Sequence, residues 1–347
     1  MNAPHTLRLP RPDDAHVHLR DGAAMAHAAA ATAAQFGRAV VMPNLRPPIR
    51  TTAEALDYRA RIVGALPPGH AFEPWMTLYL TDDSDPAEMI RAKASACVAG
   101  VKLYPAGATT HSDAGVRGLR ALDDVLAAMA EVELPLLVHG EVVDPDVDVF
   151  DREVAFLGRE LGPLLARHPR LRVVLEHVTS EAGVRFVEQA RPGVAATLTA
   201  HHLLLDRNAM FQGGLRPHLY CLPLLKRSSD RRALVAAAVS GSPRFFLGTD
   251  SAPHAEGAKL AACGCAGCYT APVALQLYAE AFDAAGALDR LPDFASRFAA
   301  EFYGWLPSRD EVVLERGATP VPEQLPFGDS LVVPFRAGGE VGWRWIG

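Results

Sequence analysis

The sequence predicts a (β/α)8 barrel, the TIM-barrel fold of the α/β class in which parallel strands alternate with helices. Short apolar or β-branched runs alternate along the chain with longer segments rich in alanine and leucine. This alternation is typical of parallel strands joined by crossover helices. The runs number eight, whereas an open doubly wound sheet usually has fewer strands. We therefore expect a closed barrel.

The predicted elements follow one another in regular order. The strands cover 16–19, 39–44, 75–80, 100–105, 134–140, 171–178, 193–202 and 244–250. The helices cover 22–36, 53–65, 86–97, 113–129, 152–167, 181–190, 228–240, 271–285 and 291–303. The tail from about residue 307 is rich in Pro and Gly, which predicts an irregular appendage with one or two strands. We expect residues 1–347 to form a single barrel domain that carries this appendage.

The composition is that of an ordinary folded protein and excludes disordered and fibrous classes. The chain has 347 residues, of which 49% are hydrophobic and 21% charged. The formal net charge is −6 and acidic residues are spread along the chain. Such a chain offers no basic face to a phosphate backbone, so we expect no nucleic-acid partner.

Targeting signals and cysteines indicate the compartment. The first residues, MNAPHTLRLPRPDD, lack the apolar core of a secretory signal, and no run of about 18 apolar residues predicts a membrane span. Three of the five cysteines are Cys263, Cys265 and Cys268. An odd, clustered set suits a reducing compartment better than a disulfide framework. We therefore expect a cytoplasmic protein without a membrane partner.

Residues with ligand chemistry collect at the C-terminal ends of the predicted strands, where barrels place their reactive groups. These residues are His16, His18, Asn44, Lys102, His139, His177 and Asp250. His16 and His18 point the same way because alternate residues of a strand share a face. A single strand-end histidine is more often a hydrogen-bonded core or surface residue. Four of them with an aspartate predict a site for zinc or a similar metal, since neutral imidazole and carboxylate are ligands for such ions.

Lys102 is the exceptional member of this set, because an ammonium group has no lone pair and repels a cation. One interpretation is a barrel lysine paired with a carboxylate. The other is a deprotonated lysine, as buried lysines can be, that captures CO2 and becomes an anionic carbamate able to bridge two metal ions. The residue type alone favours the ion pair, and only the surrounding ligands favour the carbamate.

A set of ordered motifs spans nearly the whole chain. They are DAHVHLRDG at 14–22, VMPNLRPP at 41–48, GVKLYPAGATT at 100–110, LLVHGE at 136–141, LEHVT at 175–179, GTDSAPH at 248–254 and CGCAGC at 263–268. On these motifs the chain resembles the amidohydrolase superfamily and, within it, the dihydroorotases of the shorter bacterial type. An isolated His-x-His pair would be weak, but the ordered set is highly specific.

The resemblance implies a pair of zinc ions and a substrate pocket. His16, His18 and Asp250 would hold one ion and His139 and His177 the other, with carboxylated Lys102 and a hydroxide as bridges. The residues implied at the substrate are Arg20, Asn44 and His254 for its carboxylate, backbone groups near Leu222 and Ala266 for its ring, and Thr109 and Thr110 at the tip of a mobile loop. Every ligand position of the family is filled, and the departures, at Gly107, His111 and Asp113, lie in that loop.

The implied reaction is the reversible cyclisation of N-carbamoyl-L-aspartate to L-dihydroorotate with loss of water, the third step of pyrimidine synthesis. The planar guanidinium of Arg20 suits a substrate carboxylate because it offers two parallel hydrogen bonds. Our hypothesis for Asp250 is that it shuttles the proton between the attacking water and the ring nitrogen. The resemblance also implies a homodimer.

Two other functions compete with this one. A hydantoinase or dihydropyrimidinase would share the metal site but would not need the carboxylate-binding set of Arg20, Asn44 and His254. A catalytically silent scaffold protein would have lost metal ligands, and none is lost here. The cyclic-amide hydrolase acting on dihydroorotate is therefore the preferred hypothesis.

Several other polar residues were assigned structural roles. A zinc ribbon needs four ligands, usually in two pairs, and Cys97 and Cys221 stand alone in the sequence. We expect the 263–268 cysteines to be small residues that let the backbone approach a ligand. His201 and His202 end the seventh predicted strand, where neighbours face opposite ways, so at most one of them points inward and could support the metal ligands. The preferred interpretation is that both are surface residues. The remaining acidic residues near the first motif, Asp13, Asp14 and Asp21, are expected to be solvated or to support the ligands.

Overall fold

The computed structural model describes residues 5–346 of the chain. Its strands are β1 (Thr6–Pro10), β2 (Asp13–Val17), β3 (Arg38–Val41), β4 (Glu73–Tyr79), β5 (Val98–Leu103), β6 (Leu136–Val138), β7 (Val173–Leu175), β8 (Val194–Leu198), β9 (Phe245–Leu247), β10 (Glu311–Pro320), β11 (Leu325–Phe327), β12 (Ser330–Val332) and β13 (Glu340–Trp345). Strands β2 to β9 form one parallel sheet in sequential order. Each of the eight predicted barrel strands overlaps one of them.

The two ends of this sheet meet and close the barrel. Val17 and Ser251 form a parallel bridge, and the amide of His18 donates to the carbonyl of Ser251 at 3.1 Å. One step earlier, the amide of Asp250 donates to the carbonyl of His16 at 2.9 Å. The predicted (β/α)8 barrel is confirmed.

The helices surround the barrel, as the crossover connections require. They are α1 (Ala23–Gln35), α2 (Thr52–Ala65), α3 (Pro86–Ala94), α4 (Asp123–Glu131), α5 (Arg152–Phe156), α6 (Gly162–Arg167), α7 (Glu181–Gln189), α8 (Ala200–Leu204), α9 (Ser228–Val239), α10 (Glu256–Lys259), α11 (Ala274–Ala284) and α12 (Phe298–Tyr303). A π-helical turn, Leu157–Leu161, joins α5 to α6, and a second one, Asp293–Arg297, precedes α12. Short 3-10 turns lie at Leu119–Leu122, Arg207–Phe211, Pro217–Leu219, Ala271–Val273 and Leu288–Arg290.

Local sequence explains where several helices begin. Thr51 and Glu54 form a capping box at α2, in which each side chain satisfies a backbone amide that the first helical turn leaves free. Ser180 caps α7 through the amide of Gly183. Asp85 caps α3, and Pro86 occupies the first helical position, where no amide hydrogen is needed.

The barrel strands are buried on both faces, which explains their continuous apolar character. The residues that fill the barrel interior are Ala15, Val40, Met42, Ala99, Leu137, Val174, Ala195 and Phe246, together with Phe298 and Ala299 of α12. The Trp305 ring packs at a tilt against the Trp75 ring, with 5.2 Å between the ring centroids. Helix α12 and its continuation therefore fill the end of the barrel at which the strands begin, and the opposite end is left for polar residues.

Two predicted segments have different boundaries in the structure. The strand predicted over 193–202 ends at Leu198, and Thr199 caps α8 by accepting from the amide of His202 at 3.2 Å. The helix predicted over 113–129 begins only at Leu119, because Val116 donates to the carbonyl of Tyr104 at 2.8 Å and follows β5 as extended chain. In both places a side chain or backbone partner overrides the apolar pattern.

The tail contains four strands, where one or two were expected. Strand β10 pairs antiparallel with β13 and with the N-terminal strand β1, which sequence analysis did not predict. The sequence signal for β1 was the alternation of the apolar residues Leu7 and Leu9 with the polar residues Thr6 and Arg8. The two leucines are buried in the structure. Strands β11 and β12 form a separate hairpin. Of the helices between residues 5 and 346, none combines the length and apolar character needed to cross a membrane.

Candidate metal centre

The alternation of side-chain direction along each strand explains why polar residues lie at one end of the barrel interior. Leu137 and Val174 point into the barrel interior. Side chains two residues apart share a face of a strand, so His139 and Glu176 point into the space above that apolar layer. The same geometry applies to Asn44 beyond Met42. The strand ends thus place buried polar side chains around one axis.

His16, His18 and Asp250 form a compact buried triad. The two Nε2 atoms of the histidines lie 3.4 Å apart, and Asp250 Oδ1 lies 3.1 Å from His18 Nε2 and 3.4 Å from His16 Nε2. Two ligand atoms about 2.1 Å from a tetrahedral zinc ion would be about 3.4 Å apart. The triad therefore has the spacing of a metal site.

His177 and His139 continue the same cluster. The His177 ring centroid lies 5.2 Å from that of His16 and 4.9 Å from that of His139. Both side chains are buried, and His177 Nδ1 has no hydrogen-bond partner. The four imidazoles are thus contiguous, and a ring nitrogen that lacks a partner is available as a ligand.

Lys102 lies beneath these rings with no exposed surface. Its Nζ has no hydrogen-bond partner in the described part of the chain and lies 5.1 Å from the centroid of the Tyr104 ring. Burial lowers the pKa of Lys102 to about 8, while the charges of Glu176 and Asp250 act in the opposite direction. The ion pair that the residue type alone favours is not formed in residues 5–346, and the lowered pKa makes a neutral amine accessible.

Burial sets the protonation of the ligand residues. It lowers the pKa of His18 to about 3 and that of His177 well below its usual range. Burial alone would raise the pKa of Asp250, but the adjacent His16 and His18 hold it well below its ordinary value. Neutral imidazoles and an ionised carboxylate are the forms that bind metal.

Hydrogen bonds fix the orientation of three of the histidines. His16 Nδ1 lies 2.8 Å from Glu176 Oε2, and His18 Nδ1 lies 2.8 Å from Asn44 Oδ1. His139 differs, since its Nε2 lies 2.9 Å from Glu141 Oε2. Each acceptor holds a proton on one ring nitrogen and leaves the lone pair of the other free.

Glu176 and Glu141 were missed as site residues by the sequence analysis. Both are buried, and Glu176 also accepts from the hydroxyl of Thr197 at 2.6 Å. The available signal was an acidic residue within two positions of a ligand histidine, as in Glu-His at 176–177 and His-Gly-Glu at 139–141. The histidine that Glu176 contacts is 160 positions away, and only the fold shows that pairing.

The acidic residues of the first motif have separate roles. Asp14 is fully buried and accepts from the amides of His16 and Thr249 and from the Thr249 hydroxyl. It therefore ties the first metal-ligand strand to the last one. Asp13 is buried against Arg38, whereas Asp21 pairs with Arg61 at the surface. Asp14 thus supports the ligands, while the expectation that these carboxylates are solvated fits only Asp21.

Three site residues adopt a left-handed backbone conformation that side chains other than glycine rarely take. The φ angles are +64° at Arg20, +42° at His177 and +44° at Asp250. Each follows a barrel strand where the chain turns into its loop. Such strain persists where the surrounding structure holds it, and it turns these side chains toward the axis of the barrel.

Comparison with known proteins agrees with this geometry. The sequence model of the amidohydrolase family matches residues 14–306. A dihydroorotase of Alkalilimnicola ehrlichii is 61% identical over 340 residues, which cover 98% of this chain and 99% of that protein. The chain belongs to the amidohydrolase family, among the dihydroorotases. It is therefore an enzyme of a metal-dependent family.

Solved structures place this amidohydrolase in the same group. The dihydroorotase of Saccharomyces cerevisiae, in complex with 5-fluoroorotic acid, has a TM-score of 0.91 and 34% identity, with 99% of each chain covered. The Campylobacter jejuni dihydroorotase has a TM-score of 0.90 at 34% identity and covers 100% of this chain and 99% of its own. The similarity therefore includes the tail as well as the barrel.

Above the triad of this amidohydrolase lies the residue set predicted for a substrate carboxylate. Arg20 Nη2 lies 2.9 Å from His254 Nε2, and Arg20 Nε donates to the carbonyl of Pro253 at 2.8 Å. His254 Nε2 also lies 3.0 Å from the carbonyl of Ala266. Asn44 lies on the other side and orients His18 as well. The guanidinium group of Arg20 is thus held half-buried beside the triad.

The loop that carries Thr109 and Thr110 lies over the site. The side-chain amide of Asn44 donates to the Thr110 carbonyl at 3.3 Å, and the backbone amide of Ala266 donates to the Thr110 hydroxyl at 3.1 Å. The cavity beneath is lined by His16, His18, Arg20, Asn44, Tyr104, Thr109, Thr110, His139, His177, Leu222, Asp250, Ala252, Ala266 and Gly267. Predicted site residues form most of this lining, while Lys102 lies below it and His254 behind Arg20.

The interpretation of His201 and His202 as surface residues is wrong. Both side chains are buried, at 0% and 2% exposure, because they lie on α8 and not at the end of a strand. Cys221, which stands alone in the sequence, lies close to Cys268. Of the other two cysteines in the 263–268 motif, Cys263 is exposed and Cys265 half-buried.

Proposed function

We propose that this chain catalyses the reversible cyclisation of N-carbamoyl-L-aspartate to L-dihydroorotate with loss of water, a step of pyrimidine synthesis. The observation that carries the proposal is the convergence of the His16, His18 and Asp250 triad with His139, His177 and Lys102, beside an arginine, in a chain 61% identical to a dihydroorotase. We also propose that it acts in the cytoplasm as a homodimer. Its five cysteines are free thiols, which suits a reducing compartment.

The donor set fits two zinc ions. His16, His18 and Asp250 would hold one ion, and His139 and His177 would hold the other. Lys102, whose buried Nζ has no hydrogen-bond partner, would bridge them as a carbamate. That modification replaces an ammonium group, which would repel cations, with an anion that supplies oxygen ligands. When bound, the ions supply electrophilic polarisation of the amide carbonyl and acidification of a water molecule.

Asp250 is the proposed proton carrier. In the hydrolytic direction its carboxylate accepts the proton of the attacking water and delivers it to the departing ring nitrogen. In the cyclising direction the same carboxyl must begin protonated. Since His16 and His18 lower the pKa of Asp250, that form is scarce at neutral pH, and ring closure should gain relative to hydrolysis as the pH falls.

Arg20, Asn44 and His254 would bind the substrate carboxylate. Arg20 has guanidinium N–H groups beyond those used on Pro253 and His254, and a planar fork can pair with both carboxylate oxygens. Burial lowers the pKa of His254, so this ring is neutral, and its Nε2 lies within hydrogen-bond distance of both Arg20 Nη2 and the carbonyl of Ala266. Leu222 and Ala266 would contact the ring of the substrate, and Thr109 and Thr110 would cover it.

A substrate panel with metal analysis tests the proposal. Purified protein is incubated with L-dihydroorotate, hydantoin and dihydrouracil, and the metal content per chain is measured by mass spectrometry. We expect hydrolysis of dihydroorotate only, with at least two zinc ions per chain. Turnover of hydantoin or dihydrouracil at a comparable kcat/KM would favour the hydantoinase alternative, and an inert protein would favour the silent scaffold.

A further inference from the structure

A second buried group of ligand-type side chains lies outside the candidate metal centre. It consists of His201 on α8, Cys221 on the loop that follows the 3-10 turn Pro217–Leu219, and Cys268 at the end of the CGCAGC motif. Their ligand atoms all lie within 4.8 Å of one another. None of the three residues is more than 2% exposed. The fold therefore brings together an imidazole and two thiols from three separate segments.

His201 differs from the adjacent His202 in the hydrogen bonding of its ring nitrogens. Both of its ring nitrogens are buried without a hydrogen-bond partner among residues 5–346, which is unfavourable for a polar group removed from water. The adjacent His202 is also buried but is satisfied, because its Nδ1 lies 2.7 Å from Thr199 Oγ1 and its Nε2 lies 3.1 Å from the carbonyl of Pro223. Burial on α8 therefore does not by itself explain the missing partners of His201.

Lys259 fixes the backbone that presents the two thiols. Its Nζ donates to the carbonyls of Tyr220 at 2.7 Å and of Gly267 at 2.8 Å, the residues directly before Cys221 and Cys268. The amide of Gly267 also donates to the Tyr220 carbonyl at 2.9 Å. The two cysteine segments are thus held against each other by the buried Lys259 side chain.

The sulfur atoms have long, weak contacts. Cys221 Sγ lies 3.4 Å from the carbonyl of Pro223 and 3.8 Å from His202 Nε2, and Cys268 Sγ lies 3.7 Å from the carbonyl of His218. The two thiols also form a hydrogen bond with each other. A thiol is a weak hydrogen-bond donor, so little is lost if these contacts are replaced by a bond to a metal ion.

We propose that His201, Cys221 and Cys268 bind a zinc ion separate from those at the barrel centre. Thiolate and imidazole together select zinc among the common divalent ions. Two thiolates balance the two charges of the ion. Binding releases the two thiol protons. The three protein ligands leave the fourth tetrahedral position to a water molecule.

The position of this site gives the ion a structural consequence. Leu222 follows Cys221 directly, and Ala266 lies two residues before Cys268. Both Leu222 and Ala266 line the cavity above the triad. An ion held by Cys221, Cys268 and His201, here called the Cys2His site, therefore cross-links the two loops that form one wall of that cavity.

Cobalt substitution tests the site by a signal that only sulfur ligands give. The full-length protein is produced in medium containing Co2+ in place of Zn2+, and its near-ultraviolet absorption is recorded. Thiolate-to-cobalt charge transfer should appear in the wild type, while the His, Asp and Lys ligands of the barrel centre contribute none. The band should be lost in Cys221→Ser and Cys268→Ser and kept in the matched controls Cys263→Ser and Cys265→Ser.

Several outcomes would overturn the proposal. They are the absence of the band in the wild type, its persistence at full intensity in Cys221→Ser or Cys268→Ser, and its loss in either control. If the two site variants do not fold, a zinc-edge anomalous diffraction map of the wild type decides. A peak bonded to both sulfur atoms and to a ring nitrogen of His201 supports the site, and the lack of a peak there, or a Cys221–Cys268 disulfide, refutes it. Neither readout depends on enzyme activity, so this proposal can fail while the proposed function stands.

Discussion

The molecule holds two buried groups of possible metal ligands that differ in how they are built. In the triad at the barrel end, His16 and His18 come from one short motif and Asp250 closes the barrel beside them. In the Cys2His group, His201 and the two cysteines come from three loops or short helices. Two of the three triad ligands thus lie in one short motif, whereas the three ligands of the second group all come from separate segments.

The two groups also differ in their support. In the triad, Glu176 and Asn44 engage one nitrogen of each histidine and leave the other free. In the Cys2His group, His201 has no partner on either ring nitrogen. A catalytic centre needs oriented ligands with tuned basicity, whereas a site that only cross-links loops does not. We therefore infer that the first group is catalytic and that the second group cross-links loops.

The largest expected effect is that of Asp250→Asn. The amide cannot carry the proton, so kcat should fall by about 10²–10⁴-fold, the usual contribution of a positioned acid or base. Steady-state kinetics with L-dihydroorotate, paired with metal analysis of the same preparation, measures it. A near wild-type kcat at full metal content would remove Asp250 from proton transfer.

Arg20→Lys tests the substrate side of the same centre. Lysine keeps the charge but cannot form the paired hydrogen bonds, so KM for dihydroorotate should rise by about 10–100-fold, as the loss of hydrogen bonds to a charged group implies. Arg297→Lys, at a half-exposed ion pair on the barrel surface, is the control and should leave KM unchanged. Equal KM values in both variants would place the carboxylate elsewhere.

Glu176→Gln tests whether zinc binding at the triad depends on the hydrogen-bond partner of His16, independently of the Cys2His group. Removing the charge that holds His16 should weaken zinc binding at the triad by about tenfold, at the lower end of what such partners contribute. Competition with a chelator measures the affinity, and the thiolate-to-cobalt band of the Cys2His site should be unaffected. Glu188→Gln, on the exposed face of α7, is the control. Loss of that band in Glu176→Gln would mean that the two groups are not independent.

The smallest expected effect on activity is that of Cys221→Ser. Its kcat should stay near the wild-type value, but added zinc should raise the melting temperature less than it does in the wild type. An ion at 100 times its dissociation constant adds about 2.7 kcal/mol to the free energy of unfolding, which is a shift of several degrees. Cys263→Ser, at an exposed cysteine, should keep the full shift. An equal shift in all three proteins would exclude a structural ion at Cys221.

The barrel could be predicted from the sequence because its strands are buried on both faces and separated by regular helical segments. The strand-end ligands followed from the same alternation. The partners Glu176 and Glu141 could not be assigned, since a buried glutamate beside a histidine does not reveal which ring it reaches. His201 was misplaced because Thr199 caps a short helix where the apolar pattern continues a strand. Its proximity to Cys221 and Cys268 depends on loops fixed by Lys259.

A zinc-edge anomalous diffraction map of crystals of the purified protein would show whether the strand-end ligands hold two ions. We expect one peak bonded to His16, His18 and Asp250, a second bonded to His139 and His177, and electron density for a carboxyl group on Lys102 that reaches both. A map without these two peaks in zinc-replete crystals, or with an unmodified Lys102 between them, would contradict this expectation.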